Sequence, residues 1–220
     1  MEISSKGREL SRPFYFRIHP ANHPNRRPDM IIPSLGFIAG PDVPKEDAAL
    51  ARKKVNRWNR SRKLTVFSQG AERTAKVLKS FPRIMWKFKP SNKKWCVGEI
   101  LWHLADQEAN LYIRLRRAIA ESGSPVSSYD QEKWSKNLEY LSGDFEEALE
   151  IMELMRHSNA ALLKRLSVSV WKRKVIHSER GPQTVEAMVG MNIWHVEHHL
   201  GQMAKRHREW KKEKYKVSNL

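Results

Sequence analysis

Residues 194–203 read WHVEHHLGQM, with three histidines inside five positions of a stretch whose apolar residues recur at helical spacing. A helix turns about 100° per residue, which sets His195 and His199 about 40° apart on one side. His198 falls about 60° from His195 on the other side, and about 100° from His199. Met188, Met191, His195, His199 and Met203 make one column at helical spacing. The methionines mark that column as an inward face, so the 195/199 pair points at a core. Imidazoles one turn apart can share a single metal ion, because side chains at i and i+4 project together. The pattern is not that of a zincin, since Val196 follows His195 and Glu197 projects away from the pair.

Two ligands seldom hold a metal tightly; catalytic sites take three and leave a position open. The best third candidate is His103, in EILWHLADQE, at the edge of an apolar face set by Ile100, Leu104 and Leu111. Asp106 and Gln107 follow one turn later and are candidates to orient the ligand rings. The competing reading is a set of hydrogen-bonded or solvated histidines beside a core. Periodicity alone does not separate the two.

Working outward, the spacing predicts helices over 62–80, 96–121, 144–167 and 183–207, joined by stretches that carry the breaking residues. KFKPSNKK at 87–94 breaks the first, SGSP at 122–125 ends the second, and Pro182 sits where the fourth can begin. In the third, acids cluster early and bases late, matching the helix dipole. Arg156 and Asn159 share its apolar face with Phe145, Leu149, Met152 and Leu163, an unusual place for both. Strand signals are sparse, LSVSVWKRKVI at 166–176 being the only candidate. The reading is all-α, a bundle of four principal helices, with the long connector between the second and third allowing a non-simple order. Residues 1–43 are Pro-rich and aperiodic, and 44–60 suit a short helix. The expected organisation is therefore a basic Pro-rich extension over 1–60, a bundle over 61–207 and a basic tail over 208–220.

Net charge is +17, and its distribution is uneven. Residues 1–95 hold 22 Lys/Arg against 7 Asp/Glu, residues 96–204 hold 12 against 15, and residues 205–220 hold 7 against 2. Basic flanks can attract phosphate backbones or anionic surfaces, and Trp58 and Trp210 lie among basic residues where they could stack on bases. The plainer reading is a solubilising arm. One cysteine, Cys96, excludes an intrachain disulfide and a cysteine-based zinc cage. With no apolar run of about 18 residues and no apolar leader in the first ten, a cytoplasmic protein without a membrane span is expected.

KWCVGEILWHLADQEANLYIRLRRAI (94–119), YDQEKW (129–134), EALEIMELMRHSNAALLKRL (147–166) and HSERGPQTVEAMVGMNIWHVEHHLGQM (177–203) together resemble the DinB superfamily, over about 64–207. The resemblance implies a four-helix bundle holding one divalent ion, zinc or nickel, on His103, His195 and His199. It implies a metal-dependent hydrolase or a thiol-dependent transferase acting on a small molecule, the latter with a low-molecular-weight thiol. Arg156 and Asn159 match the family's R..N segment and are candidates to bind an anionic substrate group, against an equal reading as a polar bridge between helices. His177 matches a connector position and suits the mouth of the site. Cys96 stands where a serine often caps the helix, which weakens the capping box that Glu99 would close. Two alternatives stay open: a nucleic-acid or anionic-surface binder acting through the flanks with the bundle as scaffold, and a structural module that forms a homodimer through bundle faces.

Overall fold

In a computed structural model, the structure describes residues 52–217. The expected Pro-rich extension over 1–43 lies outside them; of the expected 44–60 helix, residues 52–56 are described and helical. The helices are α1 (Arg60–Ser68), α2 (Gly70–Lys79), α3 (Val97–Ala120), α4 (Gln131–Asn137), α5 (Phe145–Arg165) and α6 (Val185–Val217). A small sheet of β1 (Pro125–Val126), β2 (Lys174–His177) and β3 (Gly181–Thr184) closes one flank. The all-α, four-helix reading holds, with α1 and α2 together forming the first long member.

Polar side chains start these helices. Asn59 accepts from the Arg62 amide, Asp130 from the Glu132 and Lys133 amides, and Asp144 from the Glu146 amide. At α3 the box expected to be weak is complete: the Cys96 sulfur accepts from the Glu99 amide at 3.5 Å and Glu99 accepts from the Cys96 amide at 2.8 Å. The carboxylate half is the short one, so Glu99 carries most of the cap. The last helix begins at Val185 rather than near Pro182, which belongs to β3, and the Thr184 hydroxyl accepts from the Ala187 amide. It runs unbroken to Val217, ten residues past the expected end at 207.

The order of the bundle is non-simple, as expected, but the crossing lies at another connector. The first long member, α1 with α2, packs against α5 and α6, and so does α3. First and second members therefore stand diagonally, while α3 and α5 make the most extensive helix pairing. The crossing is made by residues 80–96, with a 3-10 turn at Arg83–Lys87, and not by the longer α3–α5 connector. That connector instead folds α4 back onto α3.

Two apolar clusters fill the bundle. One includes Phe67, Leu111, Leu115, Leu163, Val189 and Ile193; the other includes Ala71, Ile100, Leu104, Met152, Val196 and Met203. Along α3 and α5, polar residues separate them. Glu108 on α3 is 0% exposed and Arg156 on α5 is 1% exposed, and they pair at 2.6 Å. Asn159 donates to Glu108 at 3.2 Å and accepts from Arg116 at 2.9 Å. Arg156 also donates to the Phe67 carbonyl at 3.3 Å, just before the break between α1 and α2. A Cβ at Gly70 would come within 3.0 Å of this guanidinium, so a side chain there would crowd it. The expected single helix over 62–80 is two helices at this point.

Removing one member of a buried pair strands the other charge. Arg156→Met is expected to cost about 3–5 kcal/mol, and combining it with Glu108→Leu should recover most of the loss. Urea unfolding midpoints of the two variants check this; a double variant no more stable than the single one defeats the account.

Candidate metal centre

α3 and α6 each bring their polar face to the same point. His103 is 2% exposed and His199 6% exposed, with His195 partly buried between them. The Nε2 atoms of His103 and His195 are 3.2 Å apart, and those of His195 and His199 are 3.1 Å apart. One ligand atom from each of the three lies within 4.8 Å of the others. Trp95 packs on the His103 ring, centroids 5.0 Å apart.

The proton inventory decides what this convergence can do. The Gln202 carbonyl oxygen accepts from His199 Nδ1 at 2.8 Å, which places the His199 proton on Nδ1 and leaves Nε2 a bare lone pair. Burial first, then the neighbouring imidazoles, drives His195 and His199 well below the ordinary range. Burial likewise takes His103 down to about 4, with the His198 charge second. The rings are therefore neutral at pH 7, and their Nε2 edges face one another. Three neutral imidazoles whose Nε2 atoms converge from two helices, that of His199 as a bare lone pair, fit the ligand set of one cation.

The other expected site residues go elsewhere. Asp106 accepts from the Tyr140 hydroxyl, and Gln107 accepts from Asn192 at 2.7 Å; neither bonds an imidazole. Among the described residues, Nδ1 of His103 and of His195 has no hydrogen-bond partner. The ring-holding residue is Gln202, whose amide nitrogen donates onward to His198 at 3.2 Å. Its signal was its place one turn after His199 on the inward column. Arg156 and Asn159 take the bridge reading: both are committed to Glu108, whose place in HLADQE was the overlooked signal. Cys96 is 0% exposed and its thiol is pushed up to about 11, chiefly by burial. Trp58 is 8% exposed and belongs to the core, so it offers no face for stacking on a base.

His195, His198 and His199 open on a cleft of about 410 Å³. Its walls include Trp95, Trp194, Gln131 and Glu132, with Lys93, Lys94 and Lys205 at the rim. A second cleft of about 470 Å³ adjoins it, sharing Lys93, Trp95 and Glu132. Among the described residues no helix is long and apolar enough to cross a membrane.

Comparison with known proteins agrees with this architecture. The family model of the DinB superfamily matches residues 67–203. A protein of Oceanobacillus iheyensis, provisionally named a metal-dependent hydrolase, is 33% identical over 106 residues, 48% of this chain and 61% of the relative. YfiT of Bacillus subtilis, with the same provisional name, is 29% identical over 107 residues, 48% of this chain and 60% of that protein. The match thus spans about three fifths of these relatives' length. A solved structure of YfiT superposes with a TM-score of 0.64 at 20% identity, covering 80% of this chain and 94% of that one. It is described as a probable metal-dependent hydrolase with an unusual four-helix bundle topology.

The depressed histidine pKa values give a signed expectation for the metal-free protein. In the unfolded chain an imidazole takes its proton near pH 6.5; in the fold, His103 resists until about 4. Between those values the unfolded state binds more protons, so stability falls as pH drops through that window and His103 adds no further loss below it. Urea midpoints at several pH values measure this, and His103→Gln should flatten the slope.

Proposed function

The chain belongs to the DinB superfamily, and on that premise we propose that it is a metal-dependent hydrolase of small molecules, with one divalent ion held by His103, His195 and His199. The observation that carries the reading is the meeting of three neutral imidazoles from two helices around one point. Zinc and nickel both accept such a nitrogen set. A bound ion of this kind supplies a water or thiol of lowered pKa at neutral pH.

The rest of the chemistry falls to the chain itself. Gln202 fixes the His199 tautomer, so that ligand needs no rearrangement. Trp95 and the apolar cluster beneath His103 keep water from the back of the site. The cleft in front admits a substrate, and its lysine rim favours anionic ones. A thiol-transfer variant of the reading needs a thiol from outside the chain, because Cys96 is sealed in the α3 cap.

Elemental analysis of purified protein is expected to find close to one equivalent of divalent metal. His195→Ala and His199→Ala should each abolish it, and Gln202→Leu should weaken metal affinity about 10–100-fold. Hydrolysis of activated esters should stop on chelation and return with metal. Full metal occupancy in both histidine variants would defeat the site, and chelator-resistant turnover would defeat the reaction.

A further inference from the structure

Arg114 lies on α3, eleven residues on from His103 and so close to three turns along the same face. It is 9% exposed. A guanidinium so far from water calls for an anion, yet it forms no ion pair among the described residues; its protein hydrogen bond runs from Nη2 to the Ser127 carbonyl at 2.7 Å. Ser127 follows Val126, whose register partner in β2 is His177. Against that imidazole lies a second guanidinium: Arg180 Nη2 is 2.8 Å from His177 Nε2. Arg180 also lacks an ion pair among the described residues. Paired strands are about 4.8 Å apart, so two cations and an imidazole that is 3% exposed converge where the sheet meets α3.

The imidazole carries a donor surplus of its own. Nε2 faces the Arg180 N–H, and Nδ1 faces the Glu179 amide N–H at 3.2 Å. A neutral imidazole has one ring lone pair to accept with, so one of these donors meets another N–H. An oxyanion that accepts from both guanidiniums and from His177 Nε2–H removes the surplus and the unpaired charge together. The crowding of the cations is consistent with this: burial and then Arg180 lower the Arg114 pKa, with Tyr129 and Glu179 opposing, and burial, Arg180 and Arg114 lower that of His177, with Glu179 opposing.

We infer that Arg114, Arg180 and His177 form a subsite for a carboxylate or phosphoryl oxyanion of the substrate, about three turns along α3 from His103. The inference rests on the hydrolase reading for its substrate, and it gives that substrate a class: a small molecule with an anionic group set apart from the reacting bond. It also places anion recognition away from Arg156 and Asn159, which Glu108 occupies.

The test is calorimetric titration of the full chain, at low ionic strength, with inorganic phosphate and separately with succinate. At least one should bind, and which one does separates phosphoryl from carboxylate recognition. Arg180 is exposed, so Arg180→Gln should fold normally; it is expected to weaken binding roughly tenfold or more, the scale of a charge-assisted hydrogen bond. His199→Ala should keep the affinity, and the His177 ring resonances should move on titration in the parent but not in Arg180→Gln. Failure of both anions to bind overturns the inference. So does affinity that survives Arg180→Gln but vanishes in His199→Ala, which would put the anion on the metal. Metal content of His199→Ala is read separately, so loss of the subsite and loss of the metal reading are told apart.

Discussion

The pair of Glu108 and Arg156 is the constraint on which the bundle is organised. It lies between the two apolar clusters, with Glu108 0% and Arg156 1% exposed. Three helices contribute directly: α3 the carboxylate, α5 the guanidinium and Asn159, α1 the Phe67 carbonyl. Burying two charges returns little net stability, because desolvation cancels much of their attraction. Its larger effect is on register. A slip of α3 by one turn against α5 would leave a full charge alone in the core, whereas an apolar pair would tolerate the slip. Since Glu108 and His103 share α3, locking one fixes the height of the other relative to the α6 histidines.

What the sequence disclosed followed from what repeats. Long amphipathic helices announce themselves by period, and the methionine column located His195 and His199 on the inward face of α6 before any coordinates. At Cys96 residue preference speaks of the sulfur alone, while Glu99 supplies the shorter half of the box and completes it. The diagonal placement of the first member was hidden, since connector length constrains reach and not direction. The break at Gly70 was equally hidden: its cause, Arg156, stands far away in sequence.

The polar residues show the same division. Periodicity placed Arg156 and Asn159 inward, correctly, but an inward polar residue looks alike whether it faces a ligand or a buried partner. Only the position of Glu108 decides between these, and Glu108 reads in sequence as one more acid in a charged helix. Gln202 was missed for a related reason, because a neutral amide carries no signal until the proton of the ring beside it has to be assigned. His177 ends a strand of four residues, Lys174–His177, of which the strand candidate at 166–176 covers all but the histidine.

The chain's lone cysteine has a practical consequence. Its sulfur lies at zero exposure inside the α3 cap, held as the unreactive thiol. Alkylating reagents need the thiolate and a path to it, and both arrive only when the start of α3 comes apart. The rate at which a maleimide consumes this one group therefore clocks the opening of the helix that carries His103, with no label added to the protein.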